Sequence, residues 1–149
     1  MRMLKATLTV LAAALLFNCG GSGDADVSRL YFENSELDAV TLARTSGDNI
    51  VFKWEFKHPG GTDLTEIISF EIPANETVFQ QNFEAGATIP IGYTRVCDCP
   101  SDTYDITDGI LSGRLINPGE WTIAFNITVR NSAGLFLPLT DEGNYTMGN

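Results

Sequence analysis

The chain has 149 residues, 44% of them hydrophobic and 10% aromatic, with nine basic and nineteen acidic side chains for a formal net charge of −10. That is one domain's worth of chain, able to bury a self-sufficient core without a metal or a mesh of disulfides. A surface this acidic argues against nucleic acid and anionic lipid headgroups as partners, and leaves cations or a basic protein as the charge-complementary ones.

Arg2 and Lys5 precede an apolar run over residues 6–17, which stops at Leu16-Phe17-Asn18-Cys19 and gives way to Gly20-Gly21-Ser22-Gly23-Asp24. A spanning helix needs about 20 apolar residues, so the run is too short to cross a bilayer permanently and suits a cleaved secretory signal. The segment resembles bacterial lipoprotein signals, with Leu16 at the apolar first position of the lipobox and Cys19 at its last. The resemblance implies cleavage before Cys19, lipid attachment there and a place in the cell envelope, with Gly20 rather than Asp pointing to the outer membrane. Cleavage after Ala25, with Gly23 and Ala25 as small recognition residues, is the alternative and implies a secreted or periplasmic soluble protein. The expected plan is a signal over 1–18, a Gly/Ser/Asp tether over 19–26 and one domain over 27–149. Removing the signal takes Arg2 and Lys5 but no acidic residue, so the nine basic side chains become seven against nineteen and the net charge becomes −12. The sequons at Asn75, Asn126 and Asn144 carry no glycan on this reading.

Beyond the tether, period-two alternation recurs. In chain order it predicts strands over 28–33 and 38–44. Next comes 50–57, with Ile50, Phe52, Trp54 and Phe56 inward and Val51, Lys53, Glu55 and Lys57 outward. Ile68, Phe70 and Ile72 mark a further strand, followed by weaker ones over 77–83, 88–96 and 109–116. The clearest spans 121–129, where Trp121, Ile123, Phe125, Ile127 and Val129 share one face; a helix would scatter them. A last strand is expected over 135–139. Turn residues separate the strands, including Pro59-Gly60-Gly61, Asn117-Pro118-Gly119 and Asn131-Ser132-Ala133-Gly134. Short strands at this spacing predict an all-β antiparallel β-sandwich, immunoglobulin-like, with a jelly roll as the alternative. From Pro118-Gly119-Glu120-Trp121 to Asn131-Ser132-Ala133-Gly134 the chain resembles bacterial immunoglobulin-like modules, which implies the sandwich and no particular activity.

With Cys19 taken by lipid, Cys97 and Cys99 in Cys97-Asp98-Cys99-Pro100 are an even pair in an oxidising compartment, and a disulfide between them is expected. Closing so short a loop rigidifies a turn more than it stabilises a domain. Its functional alternative is thiol-redox exchange. Asp102, Asp105 and Asp108 sit three apart and form a candidate calcium loop, although the spacing is not that of an EF-hand. His58, the only histidine, reads as an exposed turn residue, since zinc or copper sites recruit several ligands. Trp54 and Trp121 read as core anchors, whereas Tyr31, Tyr93, Tyr104 and Tyr145 read as candidates for exposed aromatics. The expected function is a lipid-anchored, non-catalytic binding, adhesive or accessory module for an unknown protein or glycan. The alternatives are a calcium-assisted carbohydrate-binding module built on residues 101–109 and the tyrosines, and a thiol-redox or other enzyme.

Overall fold

The computed structural model describes residues 25–60, 63–100 and 102–149. The apolar leader, Cys19 with its expected lipid attachment and most of the expected tether lie outside the described residues. Nine strands follow one another: β1 (Asp26–Leu37), β2 (Arg44–Ser46), β3 (Asn49–Lys57), β4 (Thr65–Pro73), β5 (Val78–Asn82), β6 (Ile91–Val96), β7 (Tyr104–Asn117), β8 (Glu120–Asn131) and β9 (Phe136–Met147). They form one sheet in the order β5-β7-β8-β9-β1-β3-β4-β6, with β2 attached to β1. All pairings are antiparallel except β1 with β9, where Leu30 faces Thr146 and Tyr31 faces Met147. The protein is all-β, and the sheet doubles over on itself as a β-sandwich.

Alternation explains both the strands and the doubling. Trp121, Ile123, Phe125, Ile127 and Val129 of β8 are all buried, as are Ile50, Phe52 and Trp54 of β3 and Ile68, Phe70 and Ile72 of β4. Each set must find apolar cover, and they find it in one another. Phe52 meets Trp121 edge-on at 5.2 Å between ring centroids, and Trp54 meets Phe125 edge-on at 5.3 Å. Phe70 stacks beside Phe52 at 4.8 Å, and Phe79 of β5 closes on it from the far half at 5.7 Å. Both tryptophans anchor the core, as expected.

Three local expectations are corrected. Residues 38–43 form a turn rather than a strand, because the Asp38 carboxylate accepts the Val40 and Thr41 N–H groups and the Thr41 hydroxyl. Those bonds offer the backbone a partner that a sheet would otherwise supply. Strand β7 starts at Tyr104, so most of the 101–109 segment is paired backbone, with a break in register between Ile106 and Asp108. Tyr31, Tyr93 and Tyr145 are buried at 0%, 4% and 0% exposure rather than displayed. Each falls on the inward phase of its strand, and a tyrosine ring buries as well as a phenylalanine ring.

Candidate functional site

The ladder registers gather several segments at the end of the sandwich where β1 begins. Asp26 pairs with Lys57, Thr65 with Val96, Tyr104 with Asn131, and Arg130 with Phe136. The parallel β1–β9 pairing sets the start of β9 at this same end. The β3–β4 turn, the Cys97–Cys99 loop and the β8–β9 hairpin therefore share it with the point where any N-terminal tether must join.

Glu66 is the focus. It is 5% exposed and lies opposite Phe56 on one side and Arg95 on the other. A buried carboxylate is costly unless its oxygens are partnered. The Tyr93 hydroxyl donates to one oxygen at 2.5 Å, His58 Nε2 sits 2.8 Å from the other, and Arg95 Nε approaches to 4.0 Å. The network continues outward, since Arg95 donates to the Tyr104 hydroxyl at 3.4 Å and the Tyr104 ring meets Tyr93 edge-on at 5.0 Å. His58 is thus no free turn residue. Its side chain is one-third exposed, tied to Glu66 and packed edge-on against Phe56.

Beside Glu66 opens a cleft of about 240 Å³. Trp54, Phe56, Val27 and Leu139 supply apolar wall, and Asp141 faces it from β9. Asp141 is fixed by a two-pronged bond from Arg29, Nε to Oδ2 at 2.7 Å and Nη2 to Oδ1 at 2.6 Å. Gly143 makes that grip possible, because a Cβ there would overlap the guanidinium. The Trp54 indole N–H is buried and has no partner among the described residues. A buried donor left without an acceptor costs about 1–3 kcal/mol.

Burial first, and the bond to Glu66 second, hold the Tyr93 phenol well above its ordinary range; burial and the nearby Asp141 charge do the same for Tyr145. The fold therefore favours the neutral phenols. Their contribution is fully present below the ordinary tyrosine value of about 10 and is lost as pH rises towards the folded-state values. The melting temperature is expected to fall above about pH 10, with tyrosinate absorbance at 295 nm rising together with loss of near-UV dichroism. Ionisation of all four tyrosines while the dichroism stays native would contradict this burial.

The remaining candidates sit apart from the cleft or at its margin. Cys97 and Cys99 have Cα atoms 5.2 Å apart with their sulfurs in contact, in the loop two residues beyond Arg95. Asp102 accepts from the Ser132 hydroxyl at 2.6 Å and from the Ser132 and Thr103 N–H groups. The Ser132 hydroxyl chiefly, then desolvation acting in the opposite sense, leaves its carboxyl below the usual carboxylate range. Asp105 lies opposite Arg130 in the ladder, and Asp108 lies opposite Thr128 beyond the register break. The three aspartates do not converge: among the described residues no group of three His, Cys, Asp or Glu side chains could hold a metal ion. Calcium needs six to eight oxygen ligands, and these residues do not assemble that cage.

Glu66 and Tyr93 were legible in principle. Glu66 shares the phase of Ile68, Phe70 and Ile72, so parity alone sends it inward. The Arg29–Asp141 pair bridges residues 112 positions apart and left no local signal. Comparison with protein families, with curated proteins and with solved structures found no match.

Proposed function

We propose that this chain is a lipid-anchored cell-envelope protein, tethered through Cys19 in the outer membrane, whose sandwich is a non-catalytic binding module. The observation that carries the binding reading is the cleft beside Glu66, where the Trp54 and Phe56 side chains, Val27 and Leu139 meet the carboxylates of Glu66 and Asp141. An aromatic wall with carboxylate acceptors beside it suits a small polyhydroxylated ligand such as one sugar unit, whose C–H face packs on the ring and whose hydroxyls donate to the carboxylates. Glu66 is bonded by His58 on one oxygen and by Tyr93 on the other, which fits a rigid recognition wall. The tether would join at Asp26 and hold this end towards the membrane.

The test is a glycan and monosaccharide screen read by Trp fluorescence and by thermal shift, with and without calcium. A ligand whose signal is calcium-independent and is weakened in Trp54→Phe, a variant that narrows the aromatic wall, is the expected result. A ligand that binds Trp54→Phe as well as it binds the native chain would overturn the assignment of this cleft.

A second reading rests on the cysteines. Their contact beside Arg95 supports a disulfide, and a thiol-redox role remains the alternative use of the pair. Thiol counting on the native, secreted protein is expected to give no free thiol at Cys97 and Cys99 before reduction and two after it. Two free thiols at the outset would exclude the bond.

A further inference from the structure

Alternation alone would make the outer face of the β1-β3-β4-β6 half polar, and it is not. Leu30 and Phe32 of β1, Val51 of β3 and Ile67 of β4 form an apolar floor there, with Val51 only 2% exposed. Residues 37–44 arch over this floor as far as β6, where the Leu42 side chain fills the space that a Cβ on Gly92 would need. The arch is a built element. The Leu37 N–H donates to the buried Glu71 carboxylate at 2.6 Å, the Asp38 N–H donates to the Ala43 carbonyl at 2.9 Å, and Leu42 holds a left-handed φ of 57°.

Between arch and floor lies a cavity of about 530 Å³, within the usual size range of small-molecule sites. The charged side chains that line it, Arg44 and Lys53, are both basic, and Asn149 borders it as well. A chain with nineteen acidic residues sends none of them into this wall among the described residues. The Arg44 guanidinium lies 4.0 Å above the Phe32 ring, at the junction of the apolar floor and the rim. Lys53 pairs with Glu55 at 2.7 Å along β3. Thr41, Ser69 and Thr94 add hydroxyls around the same opening.

We propose that this groove binds a single-chain amphiphile with an anionic head, of the fatty-carboxylate class. Its tail lies on the apolar floor under the arch, and its carboxylate sits between Arg44 and Lys53. Apolar burial supplies the attraction for the tail, and the two cations select the sign of the head. The site is on the opposite face of the sheet from the cleft at Glu66, and neither proposal depends on the other.

The experiment uses the full chain carrying Cys19→Ser, so that no attached acyl group competes, titrated with cis-parinarate and then displaced by laurate, methyl laurate or inorganic phosphate. Saturable binding near one per chain is expected, displaced by laurate and not by the neutral ester or by phosphate. Arg44→Gln and Lys53→Gln, both surface changes, should each weaken binding roughly tenfold. Thr94→Trp, which fills the groove from exposed β6, should abolish it with the melting temperature unchanged. Absence of saturable binding, equal displacement by the methyl ester, or indifference to both glutamine variants would each overturn the proposal. So would binding confined to anionic phospholipid vesicles, which would assign the patch to a membrane surface.

Discussion

Phe52→Ala is expected to lower the unfolding free energy by about 3–5 kcal/mol, a large share of the roughly 5–15 kcal/mol that a domain holds. Phe52 is fully buried and touches both halves of the doubled sheet. It stacks on Phe70 from its own half, and meets Trp121 and Tyr145 edge-on, with Phe79 at 6.2 Å. Its removal opens a cavity where the two halves meet, and the surrounding rings are held by their own ladders, so collapse into the space is limited. Tyr145→Phe is the contrasting change. It keeps the ring and removes a buried hydroxyl without a partner among the described residues, so its effect should stay within about 1 kcal/mol and can be stabilising. Urea unfolding of both variants, read by tryptophan fluorescence, checks the pair. A mild effect at Phe52 would mean that the two halves do not share one core.

The second large effect is expected at Gly109, where alanine should cost about 3 kcal/mol or more, combining backbone strain with steric overlap. Gly109 has a φ of 108°, just beyond the register break in β7, and its carbonyl accepts the Phe83 N–H at 3.0 Å. A Cβ there would drive into the Asn126 carbonyl and the Ile127 Cα, both backbone of β8. Neither can move without opening the longest pairing in the sheet. Gly86 separates strain from overlap. Its φ is 93°, yet a Cβ would meet nothing, so Gly86→Ala should cost only about 1 kcal/mol. Equal losses at the two positions would show that conformation alone, and not the close approach of β7 to β8, sets the cost at Gly109.

Much of the fold was legible because the apolar positions of β3, β4 and β8 alternate without interruption, and only an extended strand puts such a set on one side. The 38–44 expectation failed for the same reason that the others succeeded. Val40 and Leu42 alternate with the smaller Ala39, Thr41 and Ala43, but Asp38 captures the backbone first, leaving Val40 90% exposed and Leu42 bent over Gly92. The outward assignment of Val51 was right in direction, and its burial arises from that arch, which no strand pattern announces. At the candidate cleft, the inward phase of Trp54, Phe56 and Glu66 was readable from parity. The juxtaposition of Glu66 with His58 and Tyr93 depends on how three strands pair, and that of Arg29 with Asp141 on the parallel closure of β1 against β9. Residues 101–109 misled because three evenly spaced aspartates look like a loop, whereas six of those nine positions belong to the long strand β7.

The proposed anchor puts lipid on Cys19 and presents the sandwich from the membrane. Intact-mass spectrometry of the protein extracted from membranes of a Gram-negative host tests it directly. The expected result is a chain beginning at Cys19 with the added mass of acyl groups, and a Cys19→Ser variant that loses that mass and leaves the membrane fraction. A chain without acyl mass, beginning after Ala25 and found in the soluble fraction, would contradict it.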